Sequence, residues 1–391
     1  MLFLDDDHTE TGPADYAEKH FSYLNRCGRD ECFRVREVLE EWFTRYPEKE
    51  KDELRSRFQS GDDTHFASAF FELYLHELLV QLGYRVEVHP EVLEPQSKKP
   101  DFFATAPDGE EVFVEAVIAS DVTEEETAAA SMKKIVYDTI NTLEDPDFYV
   151  GIEEDGQPRT PPPGRKIRNG LEKWLQKLDP DKCLLLTEQG RFDALPKWNF
   201  SHDGWDIEFT AWPKSKEARG KPGRRLIGMH MGAVQFMDSR TPIRQAIRRK
   251  ASRYGNLGKP YIVAVNAMGN IVDQIDVMEA LFGKEVLVFP QGLPPNVQPE
   301  TKLTRRPDGA WTSTFGPRNT RVSGVLIGVS VMPSSIAAKD LELYHNPWAQ
   351  HPCEGPITRL TEYAPIENRI TKKVGEHPRA LFDLPEAWPY E

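Results

Sequence analysis

The sequence predicts a layered α/β core, with a helical appendage on its N-terminal side and an irregular extension on its C-terminal side. Three observations point there. Within residues 61–155 an almost wholly apolar helix, three short strands, a second helix and a further strand follow one another. A β-rich apolar segment, Pro260 to Asn266, comes after a basic helix. Hydrophobic residues make up 39% and aromatics 10% of 391 residues, enough for the packed cores of about two to three units. The expected division is a helical appendage over 1–60, an α/β core with insertions over 61–290 and an irregular extension over 291–391.

In the appendage, apolar residues at Phe33, Val35, Val38, Leu39, Trp42 and Phe43 keep a helical period until Pro47 stops it. Asp62 or Asp63 caps the next helix, Thr64 to Leu82, and Gly83 closes it. That helix is apolar almost all round and therefore buried. Tyr84–Val88, Pro100–Thr105 and Glu111–Ile118 read as strands, the last two joined by a hairpin turn at Pro107-Asp108-Gly109. Glu124-Glu125-Glu126 opens a helix to about Leu143, and Asp147–Ile152 follows as a strand. After a proline-rich loop come a helix at Ile167–Leu178 and strands at Trp205–Trp212 and Leu226–Met231. Thr241-Pro242 caps a helix that runs to Tyr254. From Lys284 onward turns dominate, with one strand expected at Val322–Val331.

Charged residues are 29% of the chain, and its apolar runs fall far short of the ~18–20 residues of a membrane span. The acidic opening MLFLDDDHTETG is not the pattern of a secretory signal. The four cysteines suit a reducing cytoplasm, and Cys27 and Cys32 lack a second pair to complete a zinc site. The net charge of −14 argues against a general nucleic-acid coat. Residues 212–260, however, hold thirteen bases and two acids, a local +11. That stretch reads either as a phosphate-facing surface or as a solvated one.

One set of residues carries chemistry. Asp101 follows Pro100 at the start of a strand. Glu115 lies on the next strand of the hairpin, so both carboxylates come to one sheet edge. Glu72 stands on the preceding helix, eleven residues before Gly83. A carboxylate on so apolar a helix is costly unless paired or bound to a cation. Its neighbours at helical spacing are His65, Ser68 and His76. The two histidines are too far apart along the helix to share one metal.

These residues resemble the signature of the PD-(D/E)XK nuclease superfamily, the restriction-endonuclease-like fold, over about 55 residues. The resemblance implies a three-layer α/β/α core with a mixed sheet. It implies phosphodiester hydrolysis of nucleic acid, DNA before RNA, with Mg²⁺ or Mn²⁺ held by Asp101, Glu115 and Glu72. Chemically, two or three carboxylates suffice to hold a divalent ion that neutralises phosphoryl charge and activates water. The sequence departs from the signature at Val117, where a lysine belongs. Lys250 is the favoured replacement: on its helix it lies at i+4 from Ala246 and i+3 from Ile247, toward the apolar face. The other reading is a lysine snorkelling from the rim of that stripe. Lys99, Lys133 and Lys134 are weaker candidates. Arg244, Arg248, Arg249 and Arg253 are expected to grip phosphates, which positions a nucleic acid without reading its sequence. The alternative is the same fold without catalysis, acting as a nucleic-acid or protein binding module.

Overall fold

A computed structural model describes residues 1–5, 8–91, 99–221, 225–231, 238–269, 272–290, 301–366 and 369–390. Arg224 of the basic stretch and residue 291, an expected domain boundary, lie outside them. In chain order the elements begin with α1 (His20–Arg26), α2 (Asp30–Arg45), α3 (Lys51–Phe58) and α4 (Asp63–Gln81). Strands β1 (Arg85–Val88), β2 (Phe102–Thr105) and β3 (Glu111–Ser120) follow. Next come α5 (Glu124–Asn141), β4 (Phe148–Gly156), α6 (Gly164–Leu175), α7 (Pro180–Glu188), β5 (Lys197–His202), β6 (Trp205–Pro213) and β7 (Ile227–Met231). The remainder comprises α8 (Arg240–Ala251), β8 (Tyr261–Met268), α9 (Gln274–Phe282), β9 (Glu285–Val288), β10 (Lys302–Arg305), β11 (Thr312–Ser313), β12 (Gly316–Pro317), β13 (Gly324–Val329), β14 (Leu341–His345), β15 (Glu362–Ile366), β16 (Arg369–Lys373) and α10 (Pro378–Leu381).

The chain divides into two compact units. Unit 1 comprises residues 1–12, 19–121 and 237–391, and unit 2 comprises 13–18 and 122–236. Unit 1 is built on an eight-stranded sheet in the order β1-β2-β3-β8-β13-β14-β15-β16. It is mixed: β1, β2 and β3 are antiparallel, β8 runs parallel to both β3 and β13, and β13 and β14 are again antiparallel. Helices cover both faces. Val112, Val114, Ile262 and Ala264 pack with α2, α3 and α4. Phe113, Val117, Val263 and Val265 point the other way, toward α8 and α9. The strict alternation along β3 and β8 is the period of two that a sheet covered on both sides requires.

Local chemistry sets the elements that carry the site. The Asp62 side chain accepts from the N–H groups of Thr64 and His65 at 2.8 and 3.0 Å and so caps α4. Gly83, at φ +94°, lets the chain leave the helix in a conformation that other residues resist. Gly109, at φ +93°, does the same in the β2–β3 turn. That turn fixes the register Phe102↔Val114, which puts Asp101 across from Glu115.

Unit 2 has its own four-stranded sheet, ordered β5-β6-β4-β7, with a core of Ile152, Leu171, Trp205, Phe209 and their neighbours.

Three sequence expectations are corrected. The helix and strand after β3, α5 and β4, belong to unit 2; the fourth strand beside the hairpin is β8, reached through α8. Residues 291–391 are not a mere extension, because β13 to β16 form half of the large sheet. The N-terminal residues are not a separate appendage either: Leu39, Trp42, Tyr46, Leu54 and Phe58 are buried in the core that includes α4. A helix as apolar as α4 needs cover on every side, and α1 to α3 supply it.

Candidate active site

Glu115 is fully buried on the α8-facing side of β3. A buried carboxylate is stable only when its lone pairs are filled and its charge is matched. Both conditions are met. Oε1 accepts from Lys250 Nζ at 2.6 Å and from Arg253 Nη1 at 2.8 Å. Oε2 accepts from the Tyr254 hydroxyl at 2.7 Å and from the Asp101 N–H at 3.3 Å. Lys250 occupies the last turn of α8, and Arg253 and Tyr254 follow one turn later. The spacing i, i+3, i+4 presents all three to the sheet together.

Val117 lies two residues along the same face and is itself buried. The position that the signature gives to lysine is thus packed with hydrocarbon. The ammonium group reaches Glu115 from the overlying helix instead.

Asp101 is the second member. Its Oδ2 accepts from the Ala116 N–H at 2.7 Å, the one hydrogen bond to this carboxylate among the described residues. Burial and the nearby charges of Glu115 and Glu72 push its carboxyl up to about 7, against the opposing pull of Lys250. The Tyr254 hydroxyl also lies 2.7 Å from the Lys99 carbonyl oxygen. Tyr254 therefore lies between the segment entering β2 and the acid on β3. Burial and the Glu115 charge raise its phenol well above the usual range, so it stays protonated.

Glu72 is placed differently from expectation. Its oxygens receive the Tyr46 hydroxyl and Arg57 Nη2, each at 2.6 Å. It acts on Asp101 through its field. Among the described residues no group of three or more His, Cys, Asp or Glu is arranged to hold a metal ion. Next to His76 in the chain, Glu77 is fully buried and bound by Arg45 through two nitrogens, at 3.0 and 2.7 Å. Burial, then the nearby Arg45, pushes the His76 imidazole down to about 4, so it is neutral at pH 7.

The four arginines expected to grip phosphate have separate fates. Arg244 and Arg248 donate to the backbone carbonyls of Asp308 and Gly309 and are spent on holding that loop. Arg253 is on Glu115. Arg249 is exposed and makes no ion pair among the described residues. The basic stretch as a whole is divided: Lys214 to Arg225 fall in unit 2, Arg240 to Lys259 in unit 1. Of the weaker lysine candidates, Lys99 pairs with Glu91, and Lys133 with Glu154 of unit 2.

Three contributors escaped the sequence reasoning. Tyr254 read only as the end of the basic helix, and Tyr46 and Arg57 lay in a segment without a catalytic pattern. The Lys-x-x-Arg-Tyr spacing at the end of a helix was the available signal for the first.

Asp101 and Glu115 form an adjacent carboxylate pair in which Asp101 has unused acceptor capacity. Such a donor set suits a Mg²⁺-like ion, which takes one or two carboxylates and completes its shell with water and substrate oxygens. Comparison of the chain with family models, with curated proteins and with solved structures finds no match.

Proposed function

We propose that this protein hydrolyses phosphodiester bonds of nucleic acid, DNA in the first instance, at a restriction-endonuclease-like site in unit 1. One observation carries the reading: Lys250 of α8 stands 2.6 Å from Glu115, beside Asp101. An acid pair and a lysine thus converge although the strand has valine at 117. The order of elements supports it. With unit 2 set aside, α4, β1, β2, β3, α8 and β8 follow as helix, three antiparallel strands, helix and a strand parallel to β3.

Asp101 and Glu115 would hold the divalent cation, Mg²⁺ or Mn²⁺. When bound it supplies charge neutralisation at the phosphoryl oxygens and a water of lowered pKa. The chain's own residues do the rest. Lys250 brings a fixed positive charge to the acid pair, where charge builds on the phosphoryl group. Tyr254 holds Glu115 by a hydrogen bond to Oε2. Glu72, held by Tyr46 and Arg57, adds negative potential that favours a cation at Asp101. Four free thiols suit a reducing compartment, the cytoplasm. Among the described residues no helix is long and apolar enough to cross a membrane.

A second reading rests on a specific observation. Both oxygens of Glu115 are already filled by the protein's own donors. In a catalytically inactive module those bonds are permanent, and the basic groups bind nucleic acid without turnover.

The test is a cleavage assay on full-length protein with supercoiled plasmid and single-stranded DNA, in Mg²⁺, Mn²⁺ or chelator. Metal-dependent cutting is expected, reduced about 100-fold or more in Glu115→Gln and in Lys250→Met, the scale of losing one transition-state charge contact. Cutting that survives Glu115→Gln would overturn the assignment. Salt-sensitive binding without cutting in either metal would favour the inactive module.

A further inference from the structure

Arg253 holds Glu115 in a way that Lys250 does not. Both donate to Oε1. The Lys250 side chain is 12% exposed and the Arg253 side chain 31%. Arg253 uses a single nitrogen, Nη1. Its Nε is buried without a partner, and Nη2 makes no hydrogen bond among the described residues. The guanidinium lies 5.8 Å from the centre of the Tyr254 ring, a loose contact. A guanidinium is shaped for two parallel bonds to a carboxylate or a phosphate. Here half of that fork is idle, on a residue just past the end of α8 with access to solvent.

A divalent cation approaching Asp101 and Glu115 meets two positive charges already on Glu115. Arg253 competes with it for the same oxygen and repels it. A phosphate of a nucleic-acid backbone offers Arg253 the two oxygens that Glu115 does not.

We propose that Arg253 is the exchangeable counter-ion of this site: it sits on Glu115 while the site is unliganded and moves to a backbone phosphate when the ligands arrive. The inference rests on the proposed nuclease reading. It follows that a divalent cation and nucleic acid each strengthen the binding of the other, because each removes what opposes its partner, and such coupling is reciprocal. Lys250, more enclosed, stays with the acid pair.

The experiment compares full-length wild type, Arg253→Gln and Arg253→Lys. Calorimetric titration with Mn²⁺ alone measures cation affinity. Fluorescence anisotropy with a labelled DNA duplex in chelator measures nucleic-acid affinity. Arg253→Gln is expected to bind Mn²⁺ about fivefold or more tighter, and the duplex about fivefold or more weaker, the lower end of ordinary coupling between sites. Arg253→Lys keeps the charge and loses the fork, so its Mn²⁺ affinity stays near wild type while duplex binding weakens. Opposite signs in one variant are what a merely structural role does not produce. Mn²⁺ binding by Arg253→Gln that is unchanged or weaker, with unaltered thermal melting, overturns the proposal. So does unchanged duplex binding. Should Arg253→Gln melt early, equal duplex affinity in Arg253→Lys and wild type overturns it as well. Wild-type cleavage alongside such a result leaves the nuclease reading standing. Wild-type and Arg253→Gln titrations no different from Glu115→Gln would sink both.

Discussion

Asp101 holds its proton where the unfolded chain has released it. Its carboxyl sits at about 7 in the fold, against about 4 in an unfolded chain. Between those limits the native state binds more protons, so stability falls as pH rises. The contribution is full below about pH 4 and gone once pH passes about 7. In chelator, wild-type melting temperature should decline across that window relative to Asp101→Asn, whose profile should be flatter. Parallel profiles would mean that other groups relieve the repulsion. Glu154 of unit 2 has the opposite sign. Burial would raise its carboxyl, but His230, Tyr137, Lys133 and Trp205 bring it down to about 2. Its contribution is present above about pH 4.5 and is lost as pH falls toward 2, below most of the Asp101 window. At this scale the sequence was partly legible. Helix-face arithmetic pointed Lys250 inward. It gave no partner for Glu72, because Tyr46, just past α2, and Arg57 of α3 come from elsewhere in the chain.

Helix α4 depends on its first turn as much as on its apolar girth. Asp62 satisfies two N–H groups that would otherwise face water unpaired. Asp62→Ala should cost about 1 kcal/mol, measured by denaturant melts, and leave the proposed cleavage intact. No change in midpoint would mean that water replaces the cap without loss. The cap, Gly83 and the hairpin turn were all readable, since each is a local device. The basic helix was readable as a helix but not in its purpose. Arg244 and Arg248 serve the carbonyls of Asp308 and Gly309, distant in sequence, and no local pattern reports that. Strands β14 and β15 were missed for a related reason. Each has five residues, amid prolines and turns, and is held in place by neighbours in the sheet.

Two compact units, each with its own buried core residues, imply two separately testable stabilities. Phe209 is fully buried in the core of unit 2. Phe209→Ala should cost that unit about 3–5 kcal/mol. Scanning calorimetry is expected to show one transition moving while Mn²⁺ affinity at Glu115 holds. Movement of both transitions would show that the units unfold together. The layered α/β class was legible in the sequence. The division was not, because unit 2 interrupts unit 1 without a linker of distinctive composition.

That interruption bears on how the chain comes off the ribosome. β3 and β8 are neighbours in the sheet, yet the whole of 121–260 is made between them. At synthesis rates of about 5–20 residues per second, the β1–β3 meander waits on the order of ten seconds for its partner strand. Through that interval β3 has an unpaired edge, a template for adventitious strand pairing. Unit 2 is completed within the same interval. Unit 2 supplies none of the side chains bonded to Glu115, yet the time taken to make it bears on the yield of folded unit 1, through timing and not through chemistry.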